Sequence, residues 1–219
     1  MFLSASIHTN YPVISLSERV SSVLQLMEDY DILHLPVVSD DAFSGIVSKD
    51  DLLDADQTGI IASIEYQLIR ASAKENEHFL AAVKLLGEMN LSLLPVINEQ
   101  KELVGVVLAA DLLRQLAKFA GADEPGGLIV LEIEKRNYSL GELSRLVETN
   151  DASISQLNTT VEPETGTLIV TLRINKSEIS DIVATFQRYE YVIRYYAGEE
   201  QYANEVKENY DHLMSYLNI

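Results

Sequence analysis

Leu35-Pro36-Val37-Val38 returns as Leu94-Pro95-Val96-Ile97, an offset of 95 − 36 = 59. The same offset carries Val20, Leu24 and Met27 onto Phe79, Val83 and Leu86, and Ser17-Glu18 onto Asn76-Glu77. Apolar residues at i, i+4 and i+7 mark one face of a helix in each copy. The polar pair ahead of them reads as a helix start, a capping oxygen followed by an acid where the macrodipole favours negative charge. Each Leu-Pro-Val leads into a polar turn, Ser39-Asp40-Asp41 or Asn98-Glu99-Gln100-Lys101-Glu102, and then into a short apolar run. Gly45-Ile46-Val47 matches Gly105-Val106-Val107, and Asp51-Leu52-Leu53 matches Asp111-Leu112-Leu113, with the offset now 111 − 51 = 60. Each copy is therefore expected to run strand, helix, strand, turn, strand, helix. A sheet that small cannot cover its own apolar face, so the two copies are expected to pack together.

A hydrophobic helix, Leu-Pro-Val, and then Gly-hydrophobic-hydrophobic-Ser/Thr-x-x-Asp resembles the CBS (cystathionine-β-synthase-type) domain. The resemblance covers roughly residues 1–120, with one CBS domain at 1–60 and a second at 61–122. It implies an α/β (α+β) fold and a regulatory, non-catalytic role. It also implies an adenosine-containing ligand, of the AMP, ATP or S-adenosylmethionine class, in a cleft between the copies. Carried over by position, Ser48 and Asp51 are the candidate ligand residues of the first copy, with the carboxylate accepting from ribose hydroxyls. His34, directly before Leu-Pro-Val, stands where some members place a phosphate-contacting arginine, and it can serve when protonated. In the second copy Asp111 is kept, while Leu108 replaces the hydroxyl residue and Leu93 stands in the place of His34. One competent site and one degenerate site are expected. Ser48-Lys49-Asp50-Asp51 has a second reading that needs no ligand: a capping box that satisfies backbone N–H groups at a helix start.

Asp123-Glu124-Pro125-Gly126-Gly127 reads as a linker into a further domain at residues 127–198. A strand at Leu128–Ile133, a helix opened by Ser139-Leu140-Gly141-Glu142, and a hairpin of 153–161 with 167–174 about Pro163–Gly166 come first. A helix with Ile179, Ile182, Val183 and Phe186 on one face and a strand at Tyr191–Tyr196 follow. The order β-α-β-β-α-β is the split βαβ, ferredoxin-like unit. Gly141-Glu142-Leu143-Ser144-Arg145-Leu146 resembles the tail of the ACT-domain motif Asp-x-Pro-Gly-x-Leu, with Tyr138 in place of the Asp and Leu140 in place of the Pro. The other reading of Gly141 is an ordinary first-turn residue. CBS-CBS-ACT order resembles the acetoin-utilisation-type regulatory proteins. Residues 199–219 read as a final helix, with Tyr202, Val206, Tyr210, Leu213 and Leu217 along one stripe.

Composition narrows the partners. The chain has 219 residues and a formal net charge of −18, spread evenly: 8 basic and 17 acidic residues fall in 1–120, and 16 − 8 = 8 and 34 − 17 = 17 in the rest. Neither half offers a basic footprint, which argues against nucleic acid and anionic membrane surfaces as partners. No stretch approaches the ~18 consecutive apolar residues of a membrane span, and the first residues lack a secretory pattern, so a cytoplasmic location is expected. The absence of cysteine excludes thiolate chemistry. The four histidines, His8, His34, His78 and His212, form no metal-binding spacing, and no catalytic motif is found, so neither metal nor cofactor nor catalysis is expected. A homodimer and a client protein are the expected partners beside the adenine nucleotide. A dimerisation module with degenerate ligand sites is the alternative.

Overall fold

The structure, a computed structural model, describes residues 2–40 and 42–198. The chain divides into two compact units, Met1–Ala117 and Lys118–Ile219. The first carries β1 (Ile14–Ser15), α1 (Val20–Asp29), β2 (His34–Ser39), β3 (Ala42–Ser48) and α2 (Lys49–Asp54). Then come β4 (Ala73–Lys74), α3 (Phe79–Met89), β5 (Leu93–Ile97), β6 (Leu103–Leu108) and α4 (Ala109–Phe119). Each repeat builds a three-stranded sheet, in order β1-β2-β3 or β4-β5-β6, whose middle strand is parallel to the first and antiparallel to the third. A proline in a middle strand is tolerated because β1 pairs only with Val37 and Val38 and β4 only with Val96 and Ile97, so neither ladder asks Pro36 or Pro95 for an N–H.

The apolar stripes read from the sequence face the cores. Val20, Val23, Leu24 and Met27 are buried in α1, as are Phe79, Ala82 and Leu86 in α3, and burying each large side chain contributes about 1.5–3 kcal/mol. The helices begin later than expected. Arg19 and His78 hold the N-cap positions, and Glu18 instead accepts from the Ser15 backbone N–H at 2.9 Å, closing the turn ahead of α1. The Val20 N–H is met by the carbonyl of Gly59 at 3.1 Å, so the helix start is completed by a distant segment rather than by Ser17.

A boundary at residue 60 does not separate two cores. Ile61, Ile64 and Leu68 belong to the core of the first repeat, whereas Leu3 and Ile46 belong to that of the second. The segment around Ile69 pairs with Ile46 of β3 through two backbone bonds of 2.9 Å, and the segment around His8 pairs with Val106 of β6 at 2.8 and 3.0 Å. Both crossings run over a glycine: a Cβ at Gly45 would lie 2.7 Å from Leu68 Cβ, and one at Gly105 would lie 2.6 Å from the His8 carbonyl oxygen. The strand glycines that open each Gly-hydrophobic-hydrophobic motif therefore exist to let a second strand-like segment approach.

The second unit contains β7 (Gly127–Ile133), α5 (Leu140–Glu148), β8 (Ile154–Val161), β9 (Leu168–Ile174), α6 (Ser180–Arg188) and β10 (Val192–Ala197). Its sheet order β10-β7-β9-β8, antiparallel throughout, is the ferredoxin-like arrangement. Alternate residues Ile129, Leu131 and Ile133 of β7 pack with Leu143, Leu146 and Val147 of α5 and with Ile182 and Phe186 of α6. Ser139 caps α5, its hydroxyl accepting from the Glu142 N–H at 3.3 Å. The hairpin turns at Gly166, whose φ of +71° suits a residue without a side chain. Among the described residues no helix is long and apolar enough to cross a membrane. The helix expected at 199–219 lies outside the described residues.

Candidate functional site

Strand register sets up the first-repeat site. His34, the first residue of β2, is directly opposite Ser48, the last of β3, and α2 starts at the next residue. Ser48 caps that helix: its Oγ accepts from the Asp51 N–H at 3.0 Å and donates to Asp51 Oδ2 at 2.6 Å. The capping reading of Ser48 is thus realised, and the hydroxyl that a ligand would meet is already engaged. Asp51 differs. An ionised carboxylate offers about four lone-pair positions, and Ser48 takes one, on Oδ2, which leaves Oδ1 to accept from a donor in the cleft.

His34 joins the two repeats. Its Nδ1 accepts from the Ser92 N–H at 3.2 Å and lies 2.9 Å from Ser92 Oγ. Burial lowers the imidazole pKa below its usual value, and the nearby Asp51 and Asp50 carboxylates, which pull it up, are the smaller effects. A protonated His34 meeting phosphate is the sequence expectation, but burial and the bond from Ser92 both favour the neutral ring with its proton on Nε2. That ring remains a hydrogen-bond donor without being a cation.

These residues border a cleft of about 540 Å³. The first repeat contributes Leu33, His34, Ser48, Lys49, Asp50 and Asp51, and the second closes it with Met89–Ser92. Gln67 and Ile69, on the segment that crosses to β3, complete the wall. Lys49, Ile69 and Met89–Ser92 escaped the sequence reading. Lys49 adjoins Ser48 in the motif and was visible there, whereas the α3–β5 turn reaches the site only through packing of the repeats. Asp111, the fourth predicted residue, is not in this cleft. It bonds His8, Nε2 to Oδ2 at 2.5 Å, and Arg114 on Oδ1. The His8 bond first, and then Arg114, hold its carboxyl below the ordinary range.

A groove of about 670 Å³ lies in the second unit at the β7–α5 junction, walled by Tyr138, Glu142, Tyr189 and Tyr191 among others. It is larger than the first-repeat cleft but gathers none of the predicted ligand residues. Its Arg136 is held by Glu134 at 2.7 Å. Gly141 has open space where a Cβ would stand, so no close approach requires glycine at this junction.

Two sheet-and-helix repeats complete one another across a shared cleft and form a tandem module. The CBS-domain family model matches residues 5–58 and 70–118, and this part of the chain is a tandem pair of CBS domains. Inosine-5′-monophosphate dehydrogenase of Thermoplasma acidophilum is 29% identical over 164 residues, covering 73% of this chain and 32% of that protein. The chain therefore spans about a third of the length of that relative. Among solved structures, a CBS domain pair/ACT domain protein from Thermotoga maritima is 25% identical, with 54% of this chain and 98% of that one covered and a TM-score of 0.49. A CBS domain pair solved with 5′-methylthioadenosine and S-adenosyl-L-methionine is 21% identical, with 54% and 98% covered and a TM-score of 0.46.

Proposed function

We propose that this chain is a non-catalytic cytoplasmic regulator that binds an adenosine-containing ligand in the first-repeat cleft and passes the resulting change to a partner. One observation carries the reading: the cleft of about 540 Å³ brings Asp51 and His34 of one repeat against Met89–Ser92 of the other. Its volume falls in the ~300–1,000 Å³ range of small-molecule sites. Asp51 Oδ1 accepts from ribose hydroxyls, and the neutral His34 donates from Nε2. A ligand touching both repeats favours whichever arrangement of them gives it more contacts, which is the requirement for transmitting a signal. Residues 127–198, read as an ACT-like domain, and a homodimeric assembly complete the proposal.

Charge ranks the ligands. Asp50 and Asp51 face one cation, Lys49, and His34 is held neutral, so a triphosphate meets repulsion that a sulfonium or a monophosphate largely escapes. S-adenosylmethionine and AMP should therefore bind ahead of ATP. In a thermal-shift and calorimetric screen of AMP, ADP, ATP and S-adenosylmethionine, at least one should raise the melting temperature. Asp51→Asn should weaken it by roughly 10- to 100-fold, the loss of charge-assisted hydrogen bonds worth about 1.5–3 kcal/mol. Absence of any shift at millimolar ligand would overturn the proposal in favour of a dimerisation module. That second reading has its own support in Leu53 of α2 and Leu113 of α4, equivalent positions that are 52% and 67% exposed.

A further inference from the structure

The groove of about 670 Å³ in the second unit has no part in the nucleotide reading, yet its walls have a definite chemistry. Tyr138, Tyr189 and Tyr191 bring three aromatic rings to it, and Glu132, Glu134, Glu142 and Glu190 bring four carboxylates. Two of the four are already paired. Glu132 holds Arg194 at 2.8 Å, and Glu134 holds Arg136 at 2.7 Å, which neutralises the arginine in the wall. Among the described residues Glu142 and Glu190 form no ion pair. The Tyr191 hydroxyl donates to the Glu142 carboxylate, and the Tyr191 ring is fixed edge-on against Phe186, with centroids 5.5 Å apart. Burial first, and then the charge of Glu142, raise the Tyr191 phenol above its usual range, so it stays a donor. Tyr189 is 47% exposed, and the Arg145 guanidinium lies 5.7 Å from the centre of its ring. That ring already attracts a cation from within the chain.

The occupied groups decide what can enter. An anion would meet Glu142 in the first turn of α5, where the helix dipole favours negative charge and the chain supplies its own. The Glu142 N–H, a donor that an anion would need there, is bonded to the Ser139 hydroxyl. A cation meets unpaired carboxylates and aromatic faces instead. Those carboxylates come from separate elements, Glu142 from α5 and Glu190 from the turn between α6 and β10, which favours two charges joined by a chain over a single small ion. We propose that this groove binds a linear di- or polyamine, its ammonium groups meeting Glu142 and Glu190 and its methylenes lying against the tyrosine rings. Aliphatic amines titrate near the lysine value of about 10.4 and are cationic at neutral pH. The volume falls in the ~300–1,000 Å³ range of small-molecule sites.

The test is calorimetric titration of the full chain with spermidine, and separately with putrescine, in ~0.15 M salt. That salt screens the general attraction of a chain of net charge −18 for any cation. Saturable binding at one site per chain is expected. Tyr189→Ala, which leaves the charge unchanged, and Glu190→Gln should each weaken it by about two- to fivefold, and Glu142→Gln with Glu190→Gln together by about tenfold. Tyr189 and Glu190 are exposed, so neither substitution removes core packing, and circular dichroism verifies each fold. Asp50→Asn with Asp51→Asn, in the first-repeat cleft, should leave spermidine binding as it was. Equal binding by the native chain, Tyr189→Ala and the double glutamate variant would reduce the effect to overall charge and overturn the proposal. Absence of saturable binding overturns it as well, as does tighter binding of L-leucine, which carries a carboxylate, than of spermidine.

Discussion

The two repeats start from nearly the same string of residues and end with different chemistry at the same backbone position. Asp51 and Asp111 both sit in the first turn of the helix that follows the third strand of their sheet. Asp51 shares its carboxylate with a capping serine and opens onto a cleft. Asp111, whose repeat has Leu108 where the first has Ser48, bonds His8 and Arg114 instead. The difference arises less from the motif than from what crosses it. Each repeat is finished by a segment outside its own Leu-Pro-Val unit, and the two segments carry Ile69 and His8. A ligand motif is therefore read correctly only together with the strand-like segment that lies over its glycine.

The comparison can be broken most forcefully in the cores. Leu35 and Leu94 are both fully buried, and replacing either with alanine should cost about 2–5 kcal/mol in urea denaturation. Nearly equal losses are expected if the halves are structurally equivalent, and a much smaller loss in one would show that the equivalence stops at the sequence. Gly45→Ala and Gly105→Ala come next, at about 1–3 kcal/mol for forced displacement. Gly105→Ala should be the worse of the two, because it meets a backbone oxygen of His8 rather than the side chain of Leu68. It should also loosen the His8–Asp111 contact, visible as a shift of the His8 ring resonances.

Ser48→Ala removes a cap that the second repeat lacks and should lower stability by about 1 kcal/mol with or without nucleotide. Leu108→Ala, at the matching position, should show no loss attributable to capping. The smallest effect is on pH dependence. Because the folded state depresses the His34 pKa, the neutral-imidazole contribution is fully present above the unfolded value of 6.5 and is lost as pH falls from there towards the lower folded value. His34→Gln should flatten that part of the stability–pH curve. Asp111 acts with the same sign at lower pH: its contribution is present above 3.8 and is lost as pH falls through its depressed folded value.

Much of the fold was legible in advance. The doubled Leu-Pro-Val and the i, i+4, i+7 stripes identified paired repeats, because burial of an apolar face demands that spacing wherever a helix lies on a sheet. The apolar run at 128–133, the capping box at Ser139 and the β-α-β-β-α-β order likewise pointed to the ferredoxin-like unit. Helix starts were misplaced at Ser17 and Asn76, since the N–H groups of α1 are met partly by Gly59, a partner that no local pattern reveals. Leu3 packs in the core of the second repeat and Ile61, Ile64 and Leu68 in that of the first, an interleaving that no local pattern reveals either.

At the site, Ser48, Asp51 and His34 were found together as their motif implied, but the sequence was silent on the state of each group. Identity and spacing follow from local covalent geometry, which a strand register and one helical turn convert directly into proximity. Protonation, lone-pair occupancy and access depend on which remote segments pack alongside: Ser92 on His34, and His8 on Asp111. Those neighbours are chosen by the burial of whole repeats against each other, and that choice belongs to the tertiary structure alone.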